Sequence, residues 1–362
     1  MSDKNKSVKS GATEGVAAAT RGGAVIEKKS SVKEFFINNS LYILLILAII
    51  GIEIYDPRFL SLSSIINIIS LSAANLPIAL GIAGCIILTG TDLSAGRIVG
   101  LTACVAASLL QMSGYAGKMF PALGEIPVWI VFLAIVAIGA LVGFINGFCT
   151  AKFKLHPFIV TLATQLVTYG VLLMYLMQGT NNGQSISGLD SRYTNFITGS
   201  MFKIGGAAIP NYIFYVIGIV ALMWFIWNKT AFGKNMFAVG SNPEAANVSG
   251  VNVTRTIILV FVLAGVMYAV TGFIEAARIG SNSASTGLNY ELDAIAACVI
   301  GGVSFVGGIG KIRGVIMGVV LLRIIFVGLT FLGIDSNMQY IIKGLIILVA
   351  CAIDMRKYLV RK

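Results

Sequence analysis

Ten apolar runs, each at least as long as a bilayer crossing, divide this chain of 362 residues. They lie at 36–54, 65–89, 93–112, 127–150, 158–177, 209–227, 256–276, 292–309, 313–333 and 338–354. Backbone inside hydrocarbon has no water to bond, so such runs satisfy their N–H and C=O groups by folding as helices. The expected class is an all-α membrane protein of about ten transmembrane helices. Composition agrees, because 57% of the residues are hydrophobic and 11% charged, whereas a soluble domain carries roughly 25% charged residues. The division around 89–93 is the weakest, because Thr89–Gly96 puts polar and small residues between two apolar blocks. It reads either as a tight turn or as a broken helix near the membrane interior.

The net charge of +11 raises nucleic acid as a partner, but the basic residues sit in a tail and in loops beside the runs. With ten crossings and an inner amino terminus, nineteen of the 26 Lys and Arg fall on the cytoplasmic side. Those outside the tail are Arg97, Lys152, Lys154, Lys229, Lys234, Arg255, Lys311, Arg313, Arg356, Lys357, Arg361 and Lys362. The outside receives Arg58, Lys118, Arg192, Lys203 and Arg278, while Arg323 and Lys343 fall inside runs. The excess of positive charge indoors supports this orientation, with both termini cytoplasmic. An even number of crossings split by a central loop is compatible with two inverted five-helix halves.

The expected domain plan is a polar, disordered cytoplasmic tail over 1–35, a transmembrane domain over 36–355, and a basic cytoplasmic end over 356–362. Within the membrane domain, the loop 228–255 is the main polar interruption. Asn242 can cap a short helix, Pro243 suits its first position, and Glu244 sits at its positive end. Ala245 and Ala246 extend it, and Ser249–Gly250 can stop it. With basic neighbours at Lys229, Lys234 and Arg255, this segment reads as a contact for a cytoplasmic partner or as a connector lying on the bilayer. The longest external loop, 178–208, is rich in Gly, Ser and Asn and is suited to an extracytoplasmic partner.

No catalytic set assembles. The single histidine, His156, precedes Pro157, which excludes a two-histidine zinc motif. The pairs Gly117-Lys118, Gly233-Lys234 and Gly310-Lys311 lack the following Ser or Thr of a phosphate-binding loop. No metal site or cofactor is expected in this chain. The five cysteines lie in apolar stretches and read as small buried hydrophobes. Charges near the runs are Asp92, Arg97, Glu275, Glu291, Asp293, Arg323 and Lys343. Glu291 and Asp293 suit a helix amino end, Asp92 and Arg97 a local pair holding a helix break, and Arg323 and Lys343 backbone oxygens or headgroups. Neutral polar residues within or beside the runs, together with Asp92, are the candidates for a transport path: Asn75, Thr89, Thr91, Asp92, Asn146, Thr161, Thr164, Gln165 and Tyr169. Interhelical hydrogen bonding is the alternative role for each. Gly96/Gly100, Gly143/Gly147 and Gly310/Gly314/Gly318 are spaced as packing grooves.

Several of these stretches together resemble the permease subunits of sugar importers in the ribose/galactose branch of ATP-binding-cassette transporters, the galactose/methyl-galactoside type above all. They are Gly90–Arg97, Asn228–Asn235, Asn242–Ala246, Ser249–Val253, Glu291–Phe305 and Gln339–Gly344, in order across both halves of the chain. The resemblance implies a homodimer in the bacterial inner membrane, served by a sugar-binding protein outside. A separate cytoplasmic ATPase would hold ATP and Mg, and Asn242–Gly250 would be the coupling helix seated in it. Ribose, xylose or a nucleoside remain alternatives to galactose or glucose as cargo, and an ion-coupled secondary transporter is the alternative class. The tail departs from the family's short pattern.

Overall fold

The computed structural model describes the backbone of residues 40–359. The expected tail lies outside the described residues, as does part of the basic end. The chain divides into two units, Met1–Ile46 and Leu47–Lys362, and the second carries the architecture. Its helices are α1 (Ser40–Tyr55, of which Leu47–Tyr55 belongs to this unit), α2 (Leu62–Ile87), α3 (Ala95–Leu109), α4 (Val128–Lys152), α5 (Pro157–Leu176) and α6 (Ser191–Thr198). A two-stranded antiparallel hairpin comes next, β1 (Ser200–Ile204) and β2 (Ala207–Pro210). Then come α7 (Tyr212–Lys229), α8 (Ala231–Ser241), α9 (Pro243–Val248), α10 (Val253–Ile279), α11 (Tyr290–Ile300), α12 (Ile312–Phe331) and α13 (Ser336–Leu359).

By length and composition, six described helices can cross a membrane: α2, α4, α5, α7, α10 and α12. Two of the ten sequence runs are shorter as helices than expected. The run 93–112 is helical over Ala95–Leu109, and 292–309 only over Tyr290–Ile300. The second stops because Gly301 and Gly302 come after it, with Gly302 at φ 83°, a left-handed turn that side chains resist. Of the two readings of Thr89–Gly96, the structure shows an ordered break: α2 ends at Ile87, Thr89 takes φ 61°, and α3 starts at Ala95.

Local rules explain the ends. Ser61 caps α2, His156 accepts from the Phe158 N–H with Pro157 at the first position of α5, and Asn252 caps α10. Gly280, at φ 73°, closes α10. Pro77 lies inside α2 and is buried, a placement membrane helices tolerate when neighbours cover the released carbonyl.

Helix α10 is the centre of the packing, touching α2, α3 and α4, while α2 touches α10, α11 and α12. These approaches run through small residues. Gly139 and Gly265 meet backbone to backbone, Gly143 lies on Phe261 and Gly147 on Ile258. The expected grooves do act as contact faces: Gly96 and Gly100 face Gly287 and Thr286, and Gly314 and Gly318 face Gly301 and Ala297. In lipid, where burial against a neighbour gains little hydrophobic energy, such close approach supplies the van der Waals contact that holds helices together. Gly218 on α7 has open space instead. Gly265→Val should therefore lower thermal stability in detergent by about 1–3 kcal/mol, the usual cost of overpacking, while Gly218→Val should leave it unchanged. Equal melting of the two variants would refute this packing account.

Candidate functional site

Helix α9 forms as its sequence dictates. The Asn242 side-chain oxygen accepts from the Ala245 N–H at 3.0 Å, Pro243 occupies the first position, and Glu244 lies in the first turn. At the other end Ser249 Oγ donates to the Ala245 carbonyl at 2.8 Å, and Gly250 turns the chain at φ 86°. Ala246 is buried and its neighbours are exposed. Val248, which sequence reasoning passed over, is 90% exposed at the tip. An apolar side chain standing that free on a polar loop has no packing role within the chain.

The stretch before α9, read as loop from the sequence, is helix α8. Its cap is Thr230, whose hydroxyl accepts from the Gly233 N–H at 3.2 Å, and Met236 and Val239 are buried. The capping residue ahead of apolar positions at helical spacing was the signal available in the sequence. Helix α8 ends in a three-way junction. Gly240 backs directly onto the Ile87 carbonyl at the end of α2, the Gly308 N–H donates to that carbonyl at 2.8 Å, and Gly308 also abuts Ser241. Gly307 fits between Gly240 and the Thr89 methyl. Only the small Ser241 and Thr89 side chains stand among these backbones, so the root of α9 is in close contact with the break after α2 and with the loop after α11.

The break itself is held by polar groups. Thr161 Oγ1 donates to the Thr91 carbonyl at 3.2 Å and accepts from the Leu93 N–H at 3.2 Å. Asp92 Oδ1 accepts from the Ser94 N–H at 3.0 Å and from its hydroxyl at 2.6 Å, and Asn146 Nδ2 donates to Ser94 Oγ at 2.9 Å. Asp92, Asn146 and Thr161 are fully buried. The structure thus gathers four of the nine path candidates, Thr91, Asp92, Asn146 and Thr161, into one cluster. Thr89 is exposed at the junction, Asn75 lies elsewhere on α2, and Thr164, Gln165 and Tyr169 are half-buried along α5.

The charged residues pair differently from expectation. No ion pair joins Asp92 to Arg97; the Arg97 guanidinium instead lies 4.1 Å above the centre of the Tyr169 ring. Arg97, counted among cytoplasmic loop charges, belongs to the first turn of α3. Arg323 and Lys343 do not turn to backbone or headgroups: both reach Asp293, at 3.4 and 2.7 Å. Beside them is a cavity of about 10 Å³ lined by Asn75, Asp293, Arg323 and apolar neighbours, space for one water-sized guest. Glu275 pairs with Arg278 at 2.6 Å and accepts from the Tyr290 hydroxyl at 3.2 Å. At the opposite end from α9, hydrogen bonds from the Arg192 guanidinium hold the Asp190 carboxyl below its ordinary range. Among the described residues no three His, Cys, Asp or Glu side chains group as metal ligands.

Removing one partner from a buried ion cluster leaves an uncompensated charge, a loss of about 3–5 kcal/mol. Asp293→Asn should destabilise the protein on that scale, and adding Lys343→Met should recover part of it. Thermal unfolding in detergent measures both, and an Asp293→Asn protein as stable as the parent would contradict the arrangement.

Residues 64–351 match the family described as branched-chain amino acid transport system / permease component. The chain is 46% identical to the galactose/methyl galactoside import permease protein MglC of Escherichia coli (strain K12), over 92% of this chain and 98% of that protein. The protein of the same name from Haemophilus influenzae (strain ATCC 51907 / DSM 11121 / KW20 / Rd) is 44% identical, over 94% of this chain and its full length. The ribose import permease protein RbsC of the same organism is 33% identical, over 88% of this chain and 94% of its own. No solved structure matches the fold. With six described helices long and apolar enough to cross a membrane, and matched over nearly its whole length by import permeases, this chain is a member of the branched-chain amino acid transport system / permease component family.

Proposed function

We propose that this chain is the membrane subunit of an ATP-driven importer for a neutral monosaccharide, galactose, methyl galactoside or glucose. The reading rests on α9, a capped, exposed helix tipped by Val248 and rooted in the junction, in a chain 44–46% identical to galactose import permeases. A cytoplasmic ATPase, holding ATP and Mg, receives α9. A sugar-binding protein delivers cargo at the other face, where the hairpin strand β1 exposes Met201, Phe202 and Ile204. Ribose is the second reading for cargo, on the 33% identity to ribose permeases.

The assembly we infer is a homodimer in a bacterial inner membrane, each copy crossing lipid ten times with both termini inside. Two inverted halves fit the packing: α2 with its broken partner α3 and the next helix α4 correspond to α10, α11 and α12, and each long helix packs on the other half's elements. When ATP draws the two ATPases together, α9 moves with its groove. The junction carries that motion to Ile87 and Gly308 at once, so both halves respond together and the path changes the side it faces.

Val248→Asp should test this reading without disturbing folding, because the side chain touches little within the chain. We expect normal insertion and at least tenfold lower uptake, with ATPase stimulation falling in parallel. Ala246→Pro removes the bond from its N–H to the Asn242 carbonyl at 3.0 Å and costs about 3 kcal/mol within a helix. Uptake of a radiolabelled sugar panel by the reconstituted importer assigns the cargo. Uptake that depends on an ion gradient without the ATPase would replace this reading with a secondary transporter.

A further inference from the structure

Between α10 and α11 the chain runs without helix from Gly280 to Asn289, and it runs alongside α3 rather than over the surface. Asn282 exchanges backbone hydrogen bonds with Ile186 at 2.7 and 2.9 Å, Cys104 Sγ donates to the Ser283 carbonyl at 3.6 Å, Thr286 lies against Gly100, and Gly287 against Gly96. From Leu109 at the outer end of α3 to Arg97 is about 18 Å along the helix axis, more than half of a hydrocarbon core of about 30 Å. The segment therefore descends to the middle of the membrane. Ser285 and Leu288 are exposed there, and Ser283, Ala284 and Asn289 half-exposed. Non-helical backbone at that depth cannot face lipid; it must be covered by protein or border water.

Arg97 stands at the bottom of this segment. Its Nη1 donates to the Ala284 carbonyl at 3.1 Å and its guanidinium carbon lies 4.1 Å from the centre of the Tyr169 ring, a cation–π contact. Among the described residues no carboxylate oxygen comes within 4.0 Å of it, and its remaining N–H donors are uncommitted. The Glu291 carboxylate is packed against Gly96, the residue before Arg97, and is buried. A cation with open donors at mid-membrane is costly unless it meets water or a ligand.

We propose that Arg97, laid on Tyr169 and bordered by Ser283–Asn289, is a contact site for a neutral polyhydroxylated ligand midway along the transport path. The inference deepens the importer reading and rests on it. The guanidinium donates to sugar hydroxyl oxygens, while the Tyr169 ring holds it in place. The Glu291 carboxylate, packed against the preceding Gly96, is the acidic group at this end of the site, and the sugar-acid arm of the test below separates a neutral from an anionic ligand. One flat donor group without an enclosing pocket gives transient contact, which lets the sugar move on.

The test uses the complete importer in proteoliposomes, with ATPase and binding protein, and radiolabelled galactose. Arg97→Gln should lower the ratio of sugar moved to ATP hydrolysed at least tenfold, Tyr169→Leu several-fold, and Tyr169→Phe, which keeps the ring, less than twofold. A merely structural role would lower both rates together and leave the ratio fixed; that result overturns the proposal. Ser285→Cys, at an exposed position, should react with a membrane-impermeant thiol reagent faster than the parent chain and be slowed by galactose. An unreactive Cys at 285 shows a lipid or protein-covered face and also overturns it. If galactose transport ignores Arg97→Gln while uptake of a sugar acid depends on it, the site takes anions and the proposal is wrong. In each of these cases the importer reading survives, whereas a parent importer that moves no neutral monosaccharide refutes both.

Discussion

The approach of α10 to α4, backbone against backbone at Gly139 and Gly265, sets the frame on which the other elements depend. Helices in lipid gain little from hiding apolar surface from one another, so contact distance decides which pairs hold. Small residues at Gly139, Gly143, Gly147 and Gly265 let α4 and α10 share a long face, and α2 and α3 then pack on the same helix. The segment leaving the carboxyl end of α10 at Gly280 then runs along α3.

Two non-helical segments interrupt the helical packing, 88–94 after α2 and 280–289 after α10, and each exposes backbone groups that need partners. The first is closed by Thr161, Ser94, Asp92 and Asn146 from three elements, and is buried throughout its polar core. The second is closed on one side by α3 and left open on the other, where Ser285 and Asn289 remain accessible. The first break thus ties α3 to α5, whereas the second stays accessible along one side.

The junction of Gly240, Ile87 and Gly308 brings the end of α8, the end of α2 and the loop after α11 into direct contact. Side chains between moving parts absorb displacement by changing rotamer, whereas bare backbones in contact transmit it. Helix α9 starts two residues beyond such a contact, next to the end of α2 and the loop after α11. The Asp293–Arg323–Lys343 cluster ties α11 to α12 and α13, so a shift of the loop after α11 is shared with both.

What the sequence determined by itself is local and periodic. The long apolar runs became α2, α4, α5, α7, α10 and α12, because length and hydropathy alone settle whether a helix suits a membrane. The cap and stop of α9 were legible at Asn242, Pro243 and Gly250, because capping involves neighbours within a few residues. Tertiary structure decided the rest. That Arg97 meets Tyr169 and leaves Asp92 alone, that Lys343 turns to Asp293, and that Asn75 stands apart from Asn146 all depend on which helices are adjacent. The same holds for the run 292–309, whose apolar composition suggests a crossing while its second half is non-helical and meets Ile87. Composition records how much a residue prefers the membrane; its partner is fixed by the packing of glycines far away in the chain.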